Sequence, residues 1–402
     1  MNAPLRPRRI LPAIVFSQFA GTSLWFSGNA ILPDLEGALG LGSASLAGIT
    51  SAVQLGFIVG TLVFAILNVA DRWRARDVFL ACAVLGAVAN AAILALPGVP
   101  EPYPWLLALR FATGFFLAGI YPVGMKIAAS WFRADLGLAL GWLVGALIVG
   151  TALPHLLKGT GLAGHWSALT LGVSGLAVAG GLVMHRLVPE GPWLGPASRF
   201  DPLAALRAWR SPAFRASVSG YIGHTWEVYA LWTFAPVMLA AYASMHQVPL
   251  DVPWWSFWVI AAGALGCVGG GWVSRRTGQA RVAAVCLGVS TLCCLVSPLA
   301  YLASPPLFLA FMLVWGVTVA GDSPQFSTLN AQSAPSSYVG SALTLANCIG
   351  FAASVAGLQL IEAIAPQVPV QDWFLYVLPA PLLGLVILLR WMGQPRAGKG
   401  PA

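Results

Sequence analysis

Residues 114–122, GFFLAGIYP, space Gly114, Gly119 and Pro122 as G-x4-G-x2-P, and residues 316–324, GVTVAGDSP, repeat the pattern as Gly316, Gly321 and Pro324, displaced by 202 positions. Moving outward, similar displacements link Asp71-Arg72 with Arg275-Arg276 (204), Pro33 with Pro236 (203) and Gly137 with Gly340 (203). Four agreeing offsets mark an internal duplication. The spacing predicts two similar halves, residues 1–188 and 213–402, joined by a linker over 189–212.

Both copies of the pattern sit in long apolar segments. The 402-residue chain is 58% hydrophobic and 8% charged, with a mean hydropathy of +0.80, whereas an ordinary soluble domain is about 25% charged. That deficit excludes a soluble enzyme, and equally a disordered or nucleic-acid-binding chain, because both need charge density. The lipid bilayer is the expected surrounding. About 20 apolar residues carry a helix across the hydrocarbon, and runs of that kind fall at 10–34, 44–69, 77–97, 103–129, 136–157, 166–185, 213–243, 256–274, 282–301, 306–331, 339–362 and 373–391. The fold class is therefore an all-α membrane protein with twelve transmembrane helices in two pseudo-symmetric six-helix bundles. The first run continues through Phe26 without a small-residue cleavage site, so it is read as a retained span. In the linker, Asp201-Pro202 suits the start of a short amphipathic helix carrying Leu203, Leu206 and Trp209.

Positive side chains mark cytoplasmic loops. With both termini cytoplasmic, nineteen of the twenty-one Lys and Arg fall on that side, including Arg6, Arg133, Arg199, Arg396 and Lys399. Lys158 is external, and Arg110 lies within span four. The expected location is the inner (cytoplasmic) cell membrane, crossed many times. The six cysteines lie within spans at spacings that suit no tetrahedral metal site, and no G-x-x-x-x-G-K-[ST] phosphate loop occurs. No metal, cofactor or nucleic-acid partner is expected.

Several of these residues form longer patterns. Leu67-x-x-x-Asp71-Arg72-Trp73-Arg74-Ala75-Arg76 is similar to the G-x-x-x-D-R-x-G-R-R loop between spans two and three of the major facilitator superfamily. It keeps the acid–base pair and lacks both glycines. The second-half copy, Gly271-x-x-x-Arg275-Arg276-Thr277-Gly278, keeps the glycines and replaces the acid. Arg110-Phe111-Ala112-Thr113-Gly114 matches that family's R-x-x-x-G in span four. Gly141, Gly145 and Gly150 match part of a span-five motif common in antiporters, with Ala146 in place of its proline and Val149 in place of a glycine. The chain resembles this superfamily over essentially its whole length. The resemblance implies two bundles that rock about a central cavity in alternating access, with spans 1, 4, 7 and 10 lining it and spans 3, 6, 9 and 12 facing lipid. Asp71, Arg72 and Arg76, with Arg275 and Arg276, are the expected cytoplasmic gate.

An ionisable side chain at membrane depth must face protein or a water-filled cavity. The clear cases are Arg110, Glu227 and Asp322, all on expected cavity spans. Glu227 lies about 14 residues into span seven and Asp322 about 16 into span ten, which puts both near the bilayer midplane. There a carboxyl can take or release a proton as its surroundings change. His224, three residues before Glu227, offers either a proton relay or a local hydrogen bond. Arg110 presents a fork suited to an anionic group, or a charge that tunes a nearby acid. Gln18, Trp25, Asn29, Tyr121, Trp226, Tyr229 and Gln325 are the expected cavity lining, apolar walls with a few polar anchors.

Together these residues predict a secondary transporter and not an enzyme. It is expected to act as a monomer, coupled to protons, moving a small solute, with a small organic or inorganic anion favoured. The alternative is proton-antiport export of drug-like compounds. A remote alternative, an intramembrane hydrolase, rests on Gly172-Val173-Ser174-Gly175 and on His224 in the next span. The duplication has no place in that fold.

Overall fold

The computed structural model describes residues 7–41, 45–132, 136–161, 164–193, 200–335 and 338–394. Arg6, Arg133, Arg199, Arg396 and Lys399, counted above for orientation, lie outside the described residues. Twelve helices are long and apolar enough to cross a membrane: α1 (Ile10–Leu39), α2 (Leu46–Ile66), α3 (Ala75–Ala95), α4 (Pro102–Trp131), α5 (Leu136–Gly159), α6 (Trp166–Leu187), α7 (Pro212–His246), α8 (Val252–Thr277), α9 (Gln279–Ala300), α10 (Pro305–Ser333), α11 (Val339–Ile364) and α12 (Val370–Met392). Most extend a few residues past the apolar runs, because polar ends continue the helix beyond the hydrocarbon. Leu265, Leu302, Leu307 and Leu383 are more than half exposed. Such side chains suit lipid rather than water. An even number of spans puts both chain ends on one face, here termed the terminal face, opposite the far face.

The duplication is visible in the packing. The main pairings within the first six helices are α2 with α4, α3 with α6, α1 with α6, α1 with α5 and α3 with α4. Each recurs six helices later, as α8 with α10, α9 with α12, α7 with α12, α7 with α11 and α9 with α10. Close-packed small residues explain why the glycine pattern repeats. A Cβ on Gly114 would run into the Val53 carbonyl of α2, and one on Gly316 into the Val259 carbonyl of α8. A Cβ on Gly119 would strike Cys82 of α3, and one on Gly321 would lie 3.0 Å from Cys286 Sγ of α9. The prolines close the pattern: α4 breaks after Leu117 and resumes at Tyr121, while α10 breaks after Gly321 and resumes at Ser323. Pro122 and Pro324 then occupy the first turn of the resumed helix, where a missing N–H costs nothing.

The two halves meet along α2–α11 and α5–α8. The linker contains a helix, Ala204–Ala208, whose Ala204 and Ala208 pack against Phe214, Val218 and Ala346 of the second half. Leu203, Leu206 and Trp209 stay exposed on its other side. An Arg207–Asp201 ion pair at 2.5 Å pins its start.

Candidate functional site

A cavity of about 640 Å³ opens on the terminal face between the halves. Tyr121, Met125 and Lys126 of α4 form one wall, and Gln325, Thr328 and Gln332 of α10 the other. It tapers inward to a pocket of about 40 Å³ bordered by Tyr121, Tyr221, His224, Tyr229, Trp232 and Phe351. Beyond that pocket the path is blocked by aromatic rings from both halves. Trp25 stacks on Tyr229 and Phe351 with ring centres 6.0 and 5.8 Å apart, and Phe57 lies 4.6 Å from Phe351. Toward the far face the halves are tied by hydrogen bonds between α2 and α11. Ser354 donates to Gln54 at 3.0 Å, Gln359 to Ser51 at 3.1 Å, and Ser45 to Glu362 at 2.5 Å. The described conformation is thus sealed on the far side and open on the terminal side.

His224 stands on the pocket wall, and its Nδ1 lies 2.7 Å from Asp322 Oδ1. Both residues are buried, at 4% and 0% exposure. The helix break after Gly321 sets Asp322 at the junction of the two pieces of α10, so its carboxyl lies against α7. The other Asp322 oxygen has no hydrogen-bond partner among the described residues. Such an arrangement can pass a proton between the cavity and a sequestered carboxyl. The side chain that meets His224 is therefore Asp322 rather than Glu227, its neighbour one turn along the helix.

Glu227 and Arg110 lie inside their own halves instead of on the cavity wall. Glu227 accepts from Trp315 Nε1 of α10 at 2.8 Å and from Ser290 of α9 at 3.0 Å. Arg110 donates through Nη1 to Ser27 and Asn90, each at 3.1 Å, and through Nη2 to the carbonyls of Leu24 and Trp25 at 3.1 and 2.5 Å. Those carbonyls belong to the break in α1 between Thr22 and Ser27, so the guanidinium supplies the donors the interrupted helix lacks. Neither group touches lipid, since both are fully buried. Ser174, the nucleophile of the hydrolase reading, donates to the Thr170 carbonyl and accepts from Asn90. It serves this same structural network while His224 pairs with Asp322, which removes the basis of that reading.

The expected cavity residues divide in the same way. Tyr121, Tyr229 and Gln325 line the cavity or its inner pocket, and Trp25 forms part of the aromatic plug. Gln18 is buried against Gly124 within the first half, and Asn29 donates to Thr50 of α2 at 2.7 Å. Trp226 turns away toward α12, donating to the Val377 carbonyl at 3.2 Å. Phe57 and Phe351, on α2 and α11, are plug residues that sequence reasoning missed; nothing in their spacing separates them from other membrane aromatics. Of the expected gate, Asp71 pairs with Lys126 of α4 at 2.5 Å, within the first half. Arg76 lies 3.9 Å from Asp77, and Arg276 lies over the Trp272 ring at 5.0 Å. Arg72 closes the short helix Val69–Arg72, and Arg275 is exposed in the last turn of α8.

Two bundles with repeated internal pairings, a cavity between them and broken α4 and α10 helices are the architecture of a carrier. The sequence profile of the Major Facilitator Superfamily matches residues 14–358. The chain belongs to that superfamily. It is a multi-pass membrane transporter of the secondary type that moves a small-molecule solute, not an enzyme. Among solved structures, this superfamily member is similar to the human organic anion transporter MFSD10 (TM-score 0.73, 16% identity, 95% of this chain and 100% of that one). It is also similar to the nucleoside transporter NupG (TM-score 0.68, 14% identity, 95% and 98%). A niacin transporter, NiaP of Acinetobacter baylyi, is 30% identical over 162 residues, which spans 37% of this chain and 34% of that relative.

Proposed function

We propose that this superfamily member is a proton-coupled carrier of a small organic anion, and that the His224–Asp322 pair is its coupling site. The observation that carries this reading is the position of His224, on the wall of the central pocket with a buried carboxyl directly behind it. Protonation of the pair gives the pocket a cation that a solute carboxylate can meet. Deprotonation lets His224 return to Asp322 and release the solute. The ring-lined pocket and the Gln325, Gln332 and Asn347 amides of the cavity suit a flat, partly polar solute. The partial likeness to a niacin transporter points the same way, since niacin is a small aromatic carboxylic acid. Arg110 does not enter this mechanism, because its Nη donors are engaged within the first half.

The same reading places the terminal face in the cytoplasm of a cell with the protein in its cytoplasmic membrane. Support comes from Arg8, Arg9, Arg72, Arg74, Arg76, Arg186 and Arg276 gathering there. Residues 1–188 and 213–402 act as the two moving units. One chain contains both units and the whole cavity, so a monomer suffices. Proton-antiport export of drug-like compounds is the second reading, and the α5 glycines favour it: Gly141 and Gly145 face Cys267 and Val268 of α8 at the seam between the halves.

Proteoliposome flux tests both readings. With a pH gradient imposed in either sense and a panel of aromatic carboxylates, the anion reading predicts movement of solute together with protons, down the proton gradient. Movement of solute against the proton flow favours the exporter.

A further inference from the structure

The terminal end of the second half carries a second recess beside the mouth of the central cavity. A groove of about 800 Å³ lies between the starts of α7 and α9 and the ends of α8, α10 and α12. Ser211, Arg276, Gln279, Arg281, Gln332 and Trp391 line it. No acid faces it. The acids between residues 202 and 402 are Glu227, Asp251, Asp322, Glu362 and Asp372. The first and third lie at mid-span, and the other three lie on the far face. Asp201, just before this stretch, is committed to Arg207.

The first half handles its charges differently. There Asp71 neutralises Lys126, and Asp77 meets His185 at 3.0 Å. Arg276 and Arg281 thus form a basic recess, with no acid among its described lining residues, at the level where the helices leave the membrane. Its rim is apolar: Trp391, Met392 and Leu329 border it. Basic pockets between transmembrane helices at this depth take anionic lipid head groups, and arginine forks suit phosphate oxygens.

We propose that this groove is a phosphate-binding site whose occupant is the head group of an anionic phospholipid. Arg276 and Arg281 hold the phosphate, Gln279 and Gln332 add polar contacts, and the Trp391 edge borders the glycerol and acyl region. Gln279 and Gln332 border both the groove and the mouth of the central cavity, but Arg276 and Arg281 lie outside the cavity lining, so phosphate binding by the arginines stands or falls independently of the proton-coupling reading.

The test uses the purified full-length protein in detergent, with binding followed by native mass spectrometry and by the shift in thermal unfolding. The probes are dioctanoyl phosphatidylglycerol, dioctanoyl phosphatidylcholine and inorganic phosphate. Phosphatidylglycerol is expected to bind and phosphatidylcholine to bind far more weakly. The double variant Arg276→Gln/Arg281→Gln should weaken phosphatidylglycerol binding about twenty-five-fold, from two arginines at about fivefold each. Arg276→Lys/Arg281→Lys should retain most of it, which separates loss of charge from loss of fold. Inorganic phosphate binding as tightly as the lipid, and lost in the same Gln variant, supports the phosphate site and assigns it a soluble source. Equal binding of the two lipids overturns the proposal. So does undiminished phosphatidylglycerol binding in the Gln variant, or an equal loss in Arg74→Gln/Arg186→Gln, which removes charge from the terminal face of the other half.

Discussion

His224 Nδ1 lies 2.7 Å from Asp322 Oδ1, joining α7 to the break in α10 at the wall of the central pocket. Each half of the protein also buries one charged side chain among its first, third and fourth helices. In the first half this is Arg110, held by Ser27 and Asn90; in the second it is Glu227, held by Ser290 and Trp315. Unlike these two, His224 stands on the wall of the inner pocket, with Asp322 behind it. Arg110 and Glu227 thus hold their own halves together, and the first two predictions below rest on that.

Glu227 tests this structural role. Its carboxyl accepts from an indole N–H and a serine hydroxyl inside the second half, one at each oxygen. Glu227→Gln should lower gradient-driven uptake and solute counterflow by the same factor, along with the unfolding temperature. A selective loss of gradient-driven uptake would instead make Glu227 the coupling acid.

Arg110→Met should destabilise the protein by about 3 kcal/mol, because it strands the Leu24 and Trp25 carbonyls at the α1 break without donors. Thermal unfolding in detergent measures this. Transport should fall alike for anionic and neutral solutes. A change confined to the KM of anions would show that the guanidinium binds solute.

Gly114 and Gly316 should respond as a pair. Substitution by valine at either forces the helix away from the Val53 or Val259 carbonyl, at a cost of about 1–3 kcal/mol. The two variants should lower the unfolding temperature by similar amounts. A large effect in one and none in the other would contradict the equivalence of the halves.

The far-side seal depends on α2–α11 hydrogen bonds. The double variant Gln54→Ala/Ser354→Ala should shift the population toward the far-open state. Cys348, which packs against Ile58 on the terminal side of the Phe57–Phe351 plug, should then be closed in and react more slowly with a maleimide, quantified by peptide mass spectrometry. An unchanged rate would show that the aromatic plug alone holds the seal.

Much of the fold was legible because membrane helices declare themselves by length and apolarity, and because the G-x4-G-x2-P pattern has a physical cause. Gly114 and Gly316 must admit a neighbouring backbone, and Pro122 and Pro324 must sit where a helix restarts. The site was less legible. Sequence depth singled out Arg110, Glu227, His224 and Asp322, but depth does not say which way a side chain points. The helical neighbours His224 and Glu227 diverge because Trp315 and Ser290 claim the carboxyl, while the α10 break brings Asp322 to the imidazole. Likewise Asp71 was read with Arg72, its neighbour in sequence, and instead binds Lys126 across the fold. Long-range partners of this kind leave no spacing to read.

The most direct test of the central claim is Asp322→Asn in proteoliposomes, assayed two ways on one preparation. Accumulation driven by an imposed pH gradient, acidic on the solute side, should be abolished, while exchange of labelled for unlabelled solute without a gradient should stay near the unmodified level. Gradient-driven accumulation that survives in Asp322→Asn would contradict the assignment of the His224–Asp322 pair as the coupling site.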